Sequence, residues 1–130
     1  MKKLTLLTTL IFSVMFSSTS FADWTKVSEN VIGGNFYIDF ERIGKHGGYV
    51  YWWTLSDFLK PTEQGYLSGK VYQQGDCKLF RIKVLSFSSH KEPMGGGTGE
   101  TVTLKNPQWM YPPPNSSGET ILKSVCVYAK

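Results

Sequence analysis

Residues 49–55 read Tyr-Val-Tyr-Trp-Trp-Thr-Leu, and no other stretch restricts the fold as tightly. Side chains alternate between faces along a strand, so Tyr49, Tyr51, Trp53 and Leu55 share one side and Val50 and Trp52 share the other. Both faces are apolar. Such a strand belongs inside a sheet, with cover on each side. Phe36, Ile38 and Phe40 alternate with Tyr37, Asp39 and Glu41, which predicts a neighbouring strand with one buried and one wetter face. Residues 44–48, glycine-rich, supply a turn between the two, and Pro61 and Gly65 mark the loop after the central strand. Residues 67–72 and 77–87 read as two more strands, joined at Gln73, Gln74, Gly75 and Asp76, while residues 24–27 and 101–104 are weaker candidates. Connections this short leave no room for helical crossovers, so five or six strands should pair mostly antiparallel.

The chain opens with Lys2 and Lys3, an apolar run over residues 4–16, and small residues at Ser20 and Ala22, the pattern of a secretory signal. The expected organisation is a signal peptide over residues 1–22 and one domain over residues 23–130, exported to the periplasm or beyond. The apolar run is too short to span a bilayer and no second one follows, so no integral membrane segment is expected. With no Cys near the cleavage point, no lipid anchor is expected either. Cys77 and Cys126 are the only two cysteines, and export makes a disulfide their simplest use. It would close a loop of about 50 residues, worth roughly 4 kcal/mol in the chain-entropy account. A redox pair or thiolate metal site would need CxxC spacing or nearby His ligands, and neither is present.

After the signal is removed, the net charge falls from +4 to about +2. The basic residues are scattered and no nucleic-acid module is recognisable, so nucleic acid is not an expected partner. Aromatic residues make up 15% of the chain, and such side chains carry large burial energies and are enriched at interfaces.

Pro112, Pro113 and Pro114 impose an extended segment, after which Ser116 and Glu119 have capping-box spacing. A helix should follow over residues 118–129. Ile121, Leu122, Val125 and Cys126 fall on one face, with Glu119 and Lys123 as an i,i+4 pair on the other. Since Cys77 would begin a strand, the disulfide would staple this helix to the sheet. Asn115, Ser116 and Ser117 also spell a glycosylation sequon, but helix capping is the better use of these residues in a chain with a bacterial-type signal.

No catalytic arrangement is legible. G-x-S-x-G, H-E-x-x-H and Cys-His patterns are absent. The glycine-rich run over residues 94–99 lacks the Lys and Ser or Thr of a phosphate loop and reads as a mobile connection between strands. His46 and His90 have no ligand spacing and read as solvent-facing. Asp39 and Glu41 would share a strand face as a solvated pair. Arg81 and Lys83 share a face of the long strand, where they can meet an anionic partner or, more simply, pair with Asp39 or Glu41. No metal, cofactor or catalytic residue is assigned, and the chain reads as a non-enzyme.

Taken in order, Phe36-Tyr37-Ile38-Asp39, residues 51–58, Asp76-Cys77, Met94 with its glycines, Trp109, and Leu122-Lys123-Ser124-Val125-Cys126 resemble the surface-adhesin protein E-like domain family over nearly the whole mature chain. The resemblance implies a single antiparallel sheet of about six strands with a C-terminal helix tied to its concave side by the Cys pair. It also implies an adhesin role, the best-studied member being a dimeric surface lipoprotein that binds host matrix and serum proteins. This chain departs from that member in lacking a lipidation Cys.

The expectation is therefore an α+β fold: one antiparallel sheet of about six strands, with one C-terminal helix stapled to it by Cys77 and Cys126. Its function is non-catalytic protein binding, secreted or periplasmic, through a face carrying Tyr49, Tyr51, Trp53, Arg81 and Lys83. The alternative is a periplasmic inhibitor of lysozyme-type enzymes, since residues 68–72, Ser-Gly-Lys-Val-Tyr, faintly resemble a loop of such inhibitors. One helix covers one face of the central strand. The second cover must come from sheet curvature, with Trp24 and Trp109 closing over it, from a protein partner, or from a second copy in a homodimer.

Overall fold

A computed structural model describes residues 23–30 and 34–130. The expected signal peptide lies outside the described residues. Among the described residues eight strands form one antiparallel sheet: β1 (Thr25–Asn30), β2 (Gly34–Ile38), β3 (Gly44–His46), β4 (Tyr49–Asp57), β5 (Ser68–Asp76), β6 (Arg81–His90), β7 (Gly99–Thr103) and β8 (Trp109–Met110). Six of them run in the order β1-β2-β4-β5-β6-β7, with β3 paired to the first residues of β4 and β8 to the first residues of β6. The run over residues 49–55 is therefore interior, flanked by β2 and β3 on one side and β5 on the other. Among the described residues a single α-helix, α1 (Ser117–Tyr128), follows the prolines. No helix among the described residues is long and apolar enough to cross a membrane.

The helix covers the Val50 and Trp52 face. Its Ile121, Leu122 and Val125 pack with Ile38, Val50, Trp52 and Ile82 in the buried core. Trp52 is wholly buried, and its indole N–H donates to Thr54 Oγ1 at 2.9 Å, which in turn donates to Gln73 Oε1 at 2.6 Å. This chain explains why β5 does not stop at Tyr72. Gln73 looks like turn material, yet it lies opposite Trp52 in the sheet and serves the core as an acceptor. Gly75 continues the same strand because a side chain there would strike Trp52 and Leu122, at 2.7 and 2.9 Å from a Cβ. The β5–β6 turn consequently lies at residues 77–80, not 73–76, and Cys77 sits in that turn. The disulfide Cys77–Cys126 joins this turn to α1 with Cα atoms 5.8 Å apart.

Three other segments differ from expectation. Strand β2 ends at Ile38, and Phe40–Arg42 forms a 3-10 turn, so Asp39 and Glu41 share no strand face. Residues 44–46 pair with β4, which confines the turn to Gly47 and Gly48. The glycine-rich connection is fastened, not loose. Met94 N donates to Asp57 Oδ1 at 2.8 Å, Gly95 N donates to Ser68 Oγ at 2.8 Å, and Ser68 Oγ donates to Glu92 O at 2.7 Å. Gly95 has φ +74, a conformation that suits glycine, and it lies over Lys70 and Leu55.

Candidate protein-binding face

The face of β4 that turns away from α1 carries Tyr49, Tyr51, Trp53 and Leu55. The anchored turn at Pro93–Gly95 closes over the last of these, and Leu55 is fully buried. Tyr49, Tyr51 and Trp53 remain half-exposed. Antiparallel register sets Tyr72 opposite Trp53, Gln74 opposite Tyr51 and Lys83 opposite Gln74, so β5 and β6 extend the same face. Strand β8 adds Trp109 opposite Lys83.

These side chains form two aromatic groups along the same face. Trp53 and Tyr72 have ring centroids 4.9 Å apart, Tyr72 and Tyr51 6.3 Å, and Tyr49 and Trp109 5.5 Å. Contacts of this type add about 0.5–1.5 kcal/mol each beyond area burial and hold the rings in place. At the Trp109 end, the Arg81 guanidinium lies 4.2 Å from one indole ring centroid and the Lys83 ammonium 4.4 Å from one, both cations being drawn to the electron-rich indole. All five residues expected from the sequence thus lie on one face. Sequence reasoning missed Tyr72 and Gln74, and expected Trp109 as a loop residue closing over this face, not as part of the sheet. Period-two alternation carried past Tyr72 would have found the first two, whereas no local signal returns Trp109 to the sheet.

Charge pairing differs from expectation. Arg81 Nε donates to Asp76 Oδ2 at 3.0 Å, across the β5–β6 turn, and neither Asp39 nor Glu41 pairs with Arg81 or Lys83. Asp76 Oδ1 also accepts the backbone N–H groups of Lys78 and Leu79, both at 3.1 Å. The Leu79 amide foremost, then Arg81 and the Lys78 amide, hold the Asp76 carboxyl below the usual aspartate range against the opposing effect of burial. Asp39 is buried and pairs with Arg42 at 3.3 Å, while Glu41 is exposed. His46 faces solvent as expected, but His90 is buried. It ends β6 between Ser68 of β5 and Gly99 of β7, and its Nε2 lies 2.8 Å from Ser88 Oγ. No group of three or more His, Cys, Asp or Glu among the described residues could hold a metal ion.

Residues 68–72 do not form a protruding loop. They are β5, paired with β4 and β6, so a lysozyme-inhibitor loop has no counterpart here.

The family model for surface-adhesin protein E matches residues 24–127. No curated protein sequence matches the chain. Among solved structures, crystal form II of Haemophilus influenzae protein E is similar with a TM-score of 0.65 at 15% identity, over 87% of this chain and 94% of that one. A second structure of Haemophilus influenzae protein E gives 0.62 at 14% identity, over 85% of this chain and 88% of that one. A third, from non-typeable Haemophilus influenzae, gives 0.60 at 14% identity, over 85% and 79%. At such identities the likeness is one of fold.

Proposed function

This chain belongs to the surface-adhesin protein E family, and we propose that it is an exported, non-catalytic module that binds a protein partner through the aromatic face of its sheet. The observation that carries this reading is the two aromatic groups, Trp53 with Tyr72 and Tyr51, and Tyr49 with Trp109, half-exposed on the face that α1 leaves free. Large rings already fixed by one another lose little entropy when a partner covers them, and Trp, Tyr and Arg are the residues that most often dominate binding energy. Arg81 is neutralised by Asp76, while Lys83 forms no ion pair among the described residues, so the Trp109 end favours an acidic patch on the partner. The protein works outside the cytoplasm, in the periplasm or beyond.

Binding of the purified protein to a panel of immobilised extracellular-matrix proteins tests the proposal. Tyr51→Lys and Lys83→Glu should each weaken whatever binding is found, and Lys123→Gln, on the exposed side of α1, should leave it unchanged. Equal binding by all four proteins would remove this face as the docking surface. A second copy of the chain is a further occupant that the same self-complementary aromatic face favours.

A further inference from the structure

At the end of the aromatic face remote from Trp109, Trp53 and Trp24 border a cavity of about 390 Å³, shared with Asp39, Arg42, Lys70 and Ser88. The volume lies in the ordinary range for small-ligand sites. Its walls combine two indoles with polar groups of three kinds. Asp39 is 2% exposed, and while its Oδ2 meets Arg42 Nε at 3.3 Å, its Oδ1 is buried with no hydrogen-bond partner. A buried acceptor in that state is costly, and Oδ1 is itself shielded, so a turn of the Asp39 carboxylate towards the adjoining cavity is what would bring it to a donor. Lys70 forms no ion pair among the described residues. The Ser88 hydroxyl is held 2.8 Å from Nε2 of the buried His90, which fixes its direction.

We propose that this cavity binds an acidic sugar unit, a pyranose bearing a carboxylate. The C–H surface of such a ring is complementary to the electron-rich indole faces of Trp24 and Trp53. Once the Asp39 carboxylate turns to the cavity, a ring hydroxyl supplies the donor that its Oδ1 lacks, Ser88 offers a second polar contact, and the ligand carboxylate neutralises Lys70. Simpler occupants meet only part of this set. A neutral sugar leaves Lys70 uncompensated, a small carboxylic acid leaves the indoles uncovered, and a Lys or Arg side chain would bring a third cation beside Lys70 and Arg42. The site shares Trp53 with the aromatic face but does not depend on protein docking there.

Titration calorimetry and tryptophan fluorescence of the purified protein with D-glucuronate, D-glucose and acetate test the assignment. Glucuronate should bind saturably, glucose at least about tenfold more weakly, and acetate without saturation. Lys70→Gln should reduce glucuronate affinity about tenfold, to the level of glucose, while Lys123→Gln leaves it unchanged. Asp39→Asn should weaken both sugars. If that buried change unfolds the protein, Lys70→Gln still decides the matter. Hyaluronan oligosaccharides, in which glucuronate is an internal unit, distinguish sources: binding comparable to glucuronate identifies a polysaccharide site, and markedly weaker binding a site for free or terminal sugars. No saturable glucuronate binding, equal affinity for glucose, or an unaffected Lys70→Gln protein would each overturn the proposal.

Discussion

Trp52 carries the largest wholly buried side chain of the core, and an indole N–H enclosed at that depth needs an acceptor. Thr54 provides it and passes its own hydroxyl proton to Gln73, so one threonine satisfies two side chains. Replacing Thr54 by Val keeps the shape and β propensity but strands the indole donor. Thr54→Val should lower stability by about 1–3 kcal/mol, with Thr54→Ser costing less, as read from urea-denaturation midpoints. Gly75 shows the complementary constraint, a residue selected by the space it leaves for Trp52 and Leu122. Neither role could be read from neighbours in sequence. The partners come from β4 and α1, and a polar Gln followed by Gln and Gly has the local signature of a turn.

At the scale of elements, α1 and the β5–β6 turn are both fixed by side chains that satisfy backbone amides. Ser116 Oγ accepts from Glu119 N at 3.1 Å, and Glu119 Oε1 accepts from Asn115 N at 3.2 Å. Ser116→Ala should therefore cost about 1 kcal/mol, seen as a shifted denaturation midpoint with partner binding unaltered. The start of this helix was legible because capping chemistry is local, needing only Ser and Glu three positions apart. In the β5–β6 turn, Asp76 does the corresponding work for Lys78 and Leu79 and holds Arg81 as well. These contacts favour the carboxylate and depress its folded-state pKa, while the unfolded chain takes up its proton near the ordinary value of about 3.9. The stabilisation is complete above that value and is lost as pH falls through the lower folded-state pKa. Wild type should accordingly exceed Asp76→Asn in stability at neutral pH, and the gap should close below about pH 3.9 in paired denaturant melts. This turn was assigned four residues too early, since Asp76 serves equally well as the last turn residue or the residue that caps the next turn.

For the whole molecule, the question is what covers the two apolar faces of β4. α1 covers one, and the Pro93–Gly95 turn covers Leu55 on the other, which leaves Tyr49, Tyr51 and Trp53 against Tyr72 and Trp109. A two-fold dimer through this face buries the same rings on both copies, and Asp76 already neutralises one of the cations brought together. The expected outcome is a dimer at micromolar concentration by sedimentation equilibrium, converted to monomer by Tyr51→Lys; a strictly monomeric wild type leaves a face closed over by its own residues or taken by a different partner. By itself the sequence determined the antiparallel sheet, its central strand, the capped helix and that Tyr49, Tyr51 and Trp53 share one side of that strand, because each follows from periodicity or chemistry within a few positions along the chain. The disulfide partners followed by elimination, as the only two cysteines of the chain. Tertiary structure decided where β5 ends, why His90 and Asp39 are buried, that the glycine-rich connection is anchored to Asp57 and Ser68, and that Trp109 returns to meet Tyr49, Arg81 and Lys83. Those features depend on contacts between segments far apart in the chain, where the energy of a side chain is set by what the fold brings against it and not by its neighbours in sequence.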